Sequence, residues 1–262
     1  MRTRRTISSP SGYLLTGFLL LSAGEQAAAG VLTGFNVHAS GGLSTYKSKM
    51  LQSNDTGTTI NYGLALHAGE ERGMSMGLER EQSTFPFSLN NASLALETQD
   101  VDVIYRWGPV YAGMMFTQAG WYAKAPADAN GDKLLDQNST AEEYLDILAP
   151  GYGARTGLRV AFSKRGAAYI DVRYATASKV QQATPKDAST GGIVGTSPAL
   201  GRTVAVGPRM SVDFGASLPI TRDLLSFIAG YRYRTYGLTV ESESFAELHT
   251  STYIGMTVDF SL

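Results

Sequence analysis

The chain contains no cysteine, no apolar run long enough for a membrane helix and no large excess of one charge. Without cysteine it has no disulfide scaffold, no thiolate metal site and no N-terminal lipid anchor. The formal net charge is −1, and because residues 1–29 hold three arginines and one glutamate, the remainder carries −3. A nucleic-acid-binding surface is therefore not supported. The mean hydropathy of −0.09 also argues against a bundle of membrane helices.

Residues 1–29 have the organisation of a secretory signal peptide. Arginines open the chain, the apolar run YLLTGFLLL follows at 13–21, and alanines occupy 27–29. A membrane anchor needs about 18 or more apolar residues, which is roughly twice this run. We expect cleavage after Ala29, which leaves residues 30–262 as a single domain.

Apolar and polar residues alternate in several segments, which is the pattern of a β-strand with one apolar face. In one of them Ile170, Val172 and Tyr174 alternate with residues that include Asp171 and Arg173, and segments 60–67 and 225–234 behave similarly. One face therefore accepts full charge. A soluble sandwich would bury the apolar face and a membrane barrel would turn it to lipid, so alternation alone leaves both open.

We predict about ten strands, at residues 32–45, 58–69, 73–83, 94–107, 109–123, 153–163, 167–177, 202–218, 224–237 and 246–261. Every second connection is short and turn-like, at 70–73, 107–109, 163–166 and 219–223. The connections between these are longer and polar, and the longest are the third, 124–152, and the fourth, 179–201.

The last ten residues, YIGMTVDFSL at 253–262, form an alternating strand that ends the given sequence. This segment resembles the C-terminal strand of Gram-negative outer-membrane β-barrel proteins, a porin-like superfamily, although that family usually ends in Phe or Trp and this chain ends in Leu262. The resemblance implies an all-β, antiparallel up-and-down transmembrane barrel in the outer membrane. It also implies contact with lipid and lipopolysaccharide, recognition by barrel-assembly machinery, and short turns on the periplasmic side.

Six aromatic residues near the predicted strand ends fit the aromatic girdles that such barrels place at the membrane interfaces. They are Tyr105, Trp107, Trp121, Tyr122, Tyr231 and Tyr233.

If the apolar face contacts lipid, the charged residues of the other face line the interior. They are Glu79, Glu81, Asp100, Asp102, Arg106, Arg155, Arg159, Asp171, Arg173, Arg209, Asp213, Arg232, Arg234 and Asp259. Unpaired charges in a narrow barrel are costly, so we expect them to pair across a constricted or closed interior. A network that only maintains shape and an anion-selective constriction remain alternatives, the second involving Arg155, Arg159, Arg173, Arg232 and Arg234.

The third predicted loop contains DANGDKLLD, in which Asp128, Asn130, Asp132 and Asp136 have the spacing of oxygen ligands for Ca²⁺. An EF-hand would have glycine after Asp132 and glutamate at Ser139. The same residues also suit an exposed turn, so a cation site and a solvated turn both remain open.

Two short patterns resemble outer-membrane enzymes. Asp100 with Asp102, and Glu247 with His249, resemble the paired acidic and Asp-His residues of omptin proteases, and His249-Thr250-Ser251 resembles the His-x-Ser pair of lipid A deacylases. Activity would need a third group within hydrogen-bond reach.

Three functions follow from these observations. The first is a narrow, charge-lined channel for small solutes, and the second is a non-conducting barrel that presents loops 124–152 and 179–201 for binding, adhesion or structural support. An outer-membrane protease or lipid A-modifying enzyme is the third. Apart from the possible Ca²⁺ site, no cofactor is expected.

Overall fold

The regular structure of the chain is a set of antiparallel strands. A computed structural model describes residues 32–49, 53–69, 72–86, 93–126, 142–163, 166–177, 179–186, 202–221, 224–240 and 243–261. The strands are β1 (Leu32–Ser48), β2 (Ser53–Ala68), β3 (Arg72–Pro86), β4 (Ser93–Trp107), β5 (Val110–Pro126), β6 (Glu142–Ala161), β7 (Ala167–Ala177), β8 (Lys179–Lys186), β9 (Arg202–Pro219), β10 (Leu225–Val240) and β11 (Glu243–Ser261). Within these ranges, no helix is long and apolar enough to cross a membrane.

The sheet closes on itself because β1 pairs with both β2 and β11. The closing register runs from Gly34 opposite Ser261 to Lys47 opposite Leu248. β7 and β8 follow one another in the same position between β6 and β9. The eleven segments therefore form a ten-strand barrel, and the predicted all-β, antiparallel up-and-down fold is confirmed.

The two ends of the barrel differ. At one end, here called the turn end, β4 and β5 are joined by the two-residue turn Gly108-Pro109, and Gly108 has a φ of 62°, which L side chains rarely adopt. The start of β1 and the end of β11 lie at this same end. The opposite end, here called the loop end, carries the connections that contain 127–141 and 187–201.

The apolar faces of the strands point outward. Met114 is 76% exposed, Leu43 is 67% exposed and Ile60 is 58% exposed, whereas Asp171 and Arg173 are buried in the interior. A barrel in water would have the reverse arrangement, because apolar surface is driven away from water. The alternation seen in the sequence therefore describes a barrel whose outer wall suits hydrocarbon.

The predicted third and fourth loops are partly wrong. β5 continues to Pro126, β6 already begins at Glu142, and β8 occupies Lys179–Lys186 inside the predicted fourth loop. Beyond the apolar band both faces of a strand can contact water, so strand pairing continues there without the alternation that reveals it in the sequence.

An aromatic pair lies across the closing seam near the turn end. Phe35 of β1 and Phe260 of β11 are direct neighbours, with ring centroids 4.4 Å apart and an interplanar angle of 17°. We expect Phe260→Leu to lower the free energy of unfolding by about 1 kcal/mol, because leucine keeps the apolar contact but loses the ring stack. Urea unfolding in lipid vesicles measures this, with Met256→Leu as the control on the same strand. Equal losses in the two variants would contradict a role for stacking.

Candidate functional site in the barrel interior

A layer of charged side chains fills the middle of the barrel, and we call it the charged layer. Ten of its members are buried, and Arg155 has a side chain that is 20% exposed. Strands β3, β4, β6, β7, β9 and β10 supply them from inward-facing positions. The members are Glu79, Glu81, Asp100, Asp102, Asp171, Asp213, Arg155, Arg173, Arg209, Arg232 and Arg234.

Arg173 is the centre of one half of this layer. Its guanidinium lies 2.6 Å from Glu79, 2.7 Å from Asp171 and 3.2 Å from Asp100. The neighbouring Arg155 bridges Asp171 at 2.7 Å and Asp102 at 2.6 Å. Arg209 lies 2.8 Å from Asp100. These ion pairs join β3, β4, β6, β7 and β9 through the interior.

The other half is built around Arg232 of β10. It lies 2.6 Å from Asp213 and 3.0 Å from Glu79, and it also pairs with Glu81. Arg234 pairs with Glu81 as well. Because Glu79 contacts both Arg173 and Arg232, the two halves form one network that crosses the interior between β3, β7 and β10.

Neutral donors complete the coordination of the carboxylates. Tyr111 donates to Asp171 and Thr117 donates to Asp100, both at 2.6 Å. In the same way Tyr253 donates to Asp213 at 2.6 Å, and Asn61 donates to Glu79 at 2.7 Å. None of these four residues was predicted from the sequence, although each lies on the inward face of its strand.

A second layer, which we call the apolar layer, lies between the charged layer and the loop end. Its members are at most 4% exposed. The Trp121 and Tyr236 rings meet edge to face at 5.0 Å, and the Tyr46 and Phe85 rings are 5.3 Å apart. The members are Tyr46, Phe85, Leu94, Leu96, Trp121, Val206, Tyr236 and Leu238.

The placement of Trp121 in this layer corrects its assignment to an outer girdle. Trp121 is 2% exposed, whereas Trp107, Tyr105, Tyr231 and Tyr233 are 38–52% exposed on the outer wall. Trp121 lies six positions after Met115 and therefore shares its inward face, because side chains alternate along a strand. The side chain of Tyr122 lies outside the described residues.

A small cavity lies within the charged layer. This cavity, beside Glu81 and Arg232, has at most about 180 Å³ of empty volume and is lined by Ser40, Gly41, Thr59, Asn61, Ser251 and Tyr253. Ligand pockets usually measure about 300–1,000 Å³. The cavity is therefore smaller than a usual ligand pocket, and the charged and apolar side chains around it are almost all buried.

Three residues of the predicted interior set do not join this network. Arg106 and Arg159 lie at the turn end, where Arg106 donates to the Gly69 carbonyl at 3.2 Å and Arg159 donates to the Ser217 hydroxyl at 3.5 Å. Asp259 is exposed at the same end. The interior set therefore divides into a paired middle and a separate group at the turn end.

The residues that resemble enzyme sites are buried. Asp100 and Asp102 belong to the charged layer, while Glu247 is 0% exposed, His249 is 1% exposed and Ser251 is 3% exposed. His249 lies 3.5 Å from the Ser83 hydroxyl. A peptide or an acyl chain at the rim does not reach side chains with this burial, so the geometry favours neither enzyme.

The predicted calcium ligands Asp128, Asn130, Asp132 and Asp136 lie outside the described residues. In the part of the chain that is described, no cluster of three or more histidine and acidic side chains is arranged to hold a metal ion.

The sequence matches no protein-family model and no curated protein. Among solved structures, the outer-membrane protease OmpT from Escherichia coli is similar, with a TM-score of 0.53 and 9% identity over 90% of this chain and 99% of that one. The translocator domain of the autotransporter NalP from Neisseria meningitidis has a TM-score of 0.47 and 14% identity, over 95% and 96% of the two chains. Neisserial surface protein A has a TM-score of 0.45 and 12% identity, over 86% and 97%.

Proposed function

We propose that this chain is an integral β-barrel of the Gram-negative outer membrane, whose fold is similar to that of a solved barrel of that membrane, and that it is a non-conducting barrel that presents its extracellular end for binding, adhesion or structural support. The observation that carries this proposal is the filled interior. The turn end faces the periplasm and the loop end faces outward, as short turns and long connections do in such barrels. The signal peptide at 1–29 and recognition of the last strand by assembly machinery are parts of the same proposal.

The two interior layers support a closed barrel by different physical means. In the charged layer each arginine forms an ion pair with at least one carboxylate. A permeating anion would therefore have to displace a carboxylate that is already in place. In the apolar layer, buried rings and aliphatic side chains fill the interior, and the polar side chains beside them, Glu247 and His249, are themselves fully buried, so an ion would have to enter without its hydration shell. A solute would have to cross both barriers.

Strand length supports a function at the outer end. A tilted strand needs about 9–11 residues to cross the bilayer, whereas β6 has 20 residues, β11 has 19 and β9 has 18. The excess extends the wall beyond the apolar band at the loop end. Recognition is concentrated on the segments that connect strands, and at this end they contain residues 127–141 and 187–201. An extracellular ligand would bind there.

The narrow channel is the competing function, and planar-bilayer recording of the refolded mature chain distinguishes the two. We expect no stable conductance steps, because the charged and apolar layers both block the interior. As a positive control, Arg173→Ala and Arg232→Ala combined with Trp121→Ala weaken both layers and should produce measurable leak. Stable, anion-selective steps in the unmodified chain that change with Arg159→Gln would favour the channel instead.

A further inference from the structure

We propose that the periplasmic end of the interior binds a small oxyanion, phosphate or carboxylate, between Arg106 of β4 and Arg159 of β6. This site is separate from the extracellular end to which the main function is assigned. It would recognise an anionic group that is presented from the periplasm.

The two arginines differ from the five in the charged layer. Each of those five lies within hydrogen-bond distance of a carboxylate. In the described part of the chain, Arg106 and Arg159 have only a carbonyl and a hydroxyl as acceptors, at 3.2 and 3.5 Å. The Nε atom of Arg106 is buried without an acceptor. The Nε atoms of Arg80, Arg209 and Arg234 also lack one, but each of those three arginines has a carboxylate partner. Buried donors normally have an acceptor, so the Nε–H edge of the Arg106 guanidinium can donate a further hydrogen bond to a ligand.

The strand register places Arg106 and Arg159 at the same opening of the barrel, at the turn end. Arg106 is directly opposite Tyr111 of β5, and Tyr111 is opposite Gly157 of β6. Arg159 follows two positions later on the same inward face, and its backbone N–H donates to Pro109 at 2.7 Å. The two side chains therefore flank the beginning of β5. The Tyr111 ring covers Gly157, where a Cβ would overlap it, and its hydroxyl points to Asp171 in the charged layer.

Among the described residues at this end, no carboxylate forms an ion pair with Arg106 or Arg159. The ring of His67 is occupied on both nitrogens, by Asn36 at 2.9 Å and by Ser75. Asp259 is exposed, and it interacts electrostatically with Arg159 without forming a described ion pair.

The donor geometry selects the ligand class. A guanidinium presents parallel N–H groups that match two oxygens of a carboxylate or a phosphate. Arg106 is half-buried and Arg159 is exposed, so an anion could reach both from the periplasm and be partly shielded from water. The charged layer forms the floor of the site and stops further passage.

Nuclear magnetic resonance of the arginine Nε–H groups tests the site in the refolded mature chain, held in an uncharged detergent at low ionic strength. Inorganic phosphate and acetate are titrated separately. We expect at least one of them to shift the Arg106 and Arg159 signals saturably, with a Kd in the range of about 1 mM. Arg106→Gln, followed by the Arg159 signal, and Arg159→Gln, followed by the Arg106 signal, should each raise that Kd at least tenfold. The matched control is Arg80→Gln, which removes an arginine from the outer wall that pairs with Glu97.

Saturation by phosphate alone would assign a phosphate-type ligand, and saturation by acetate alone would assign a carboxylate. Absence of saturation by either up to about 100 mM, which corresponds to a Kd far weaker than the millimolar value expected, would overturn the proposal. An equal change in Arg80→Gln would also overturn it. If Arg106→Gln fails to refold, Arg106→Lys is used instead. Lysine keeps the charge but lacks the parallel N–H groups of the guanidinium, so it should still weaken binding.

Discussion

Glu81→Gln is expected to lower the free energy of unfolding by about 3–5 kcal/mol, the usual cost of removing one partner from a buried ion pair. Glu81 is 3% exposed and pairs with both Arg232 and Arg234. Arg232 keeps Asp213 at 2.6 Å and Glu79 at 3.0 Å. Arg234 keeps only the Tyr236 hydroxyl, at 3.1 Å, among its described partners. The loss should therefore arise chiefly at Arg234.

A double-mutant cycle, measured by unfolding in lipid vesicles, tests whether the loss of unfolding free energy arises at Arg234. Glu81→Gln combined with Arg234→Met should be more stable than Glu81→Gln alone, because the stranded charge is then absent. The control is Glu97→Gln, which removes the partner of Arg80 on the outer wall, where the Arg80 side chain is 37% exposed and that of Glu97 is 19% exposed, and should cost at most about 1 kcal/mol. If Glu81→Gln and Glu97→Gln lowered the free energy of unfolding equally, burial of the charged layer would contribute nothing to stability.

Gly42→Ala is expected to destabilise the closing seam by about 3 kcal/mol, at the upper end of the usual cost of overpacking. A Cβ at Gly42 would overlap the backbone oxygen of Thr252 in β11. Since β1 and β11 are adjacent only in the closed barrel, the clash acts on closure itself.

The adjacent glycine is a matched control for this substitution. A Cβ at Gly41 would have the Thr59 oxygen as its nearest contact, at 3.6 Å, which is an ordinary distance. Gly41→Ala should therefore be neutral or stabilising by about 0.5 kcal/mol, because alanine loses less backbone entropy than glycine. Heat-modified mobility on detergent gels reports the folded fraction of both variants. Parallel behaviour of the two would refute close packing at Gly42.

The face of each strand could be predicted from the sequence wherever the two faces meet different surroundings. Asp171 and Arg173 alternate with Ile170 and Val172, and the structure places the charged pair inside. Alternation fails near the loop end, where the first residues of β6, EEYLDIL at 142–148, and the residues of β8 do not alternate between apolar and polar. Neither strand was therefore recognised over its full length.

The apolar layer was not predicted because apolar residues occur there on the inward face. Leu94 and Leu96 share that face with Asp100 and Asp102 in β4. Counting back every second residue from the acidic pair could therefore have located them. The same count from Met115 places Trp121 inside. Which carboxylate each arginine selects depends on positions across the barrel, and local sequence spacing carries no information about that.

The cross-barrel ion pairs also constrain the order in which parts of the chain can fold. Arg232 and Glu81 are separated by 151 positions, and Arg209 and Asp100 by 109. Contacts of such sequence separation form late, because the entropy of the intervening chain must first be lost. The carboxylates of β3 and β4 must therefore remain hydrated until the last hairpins arrive, and expulsion of that water becomes a late step of biogenesis.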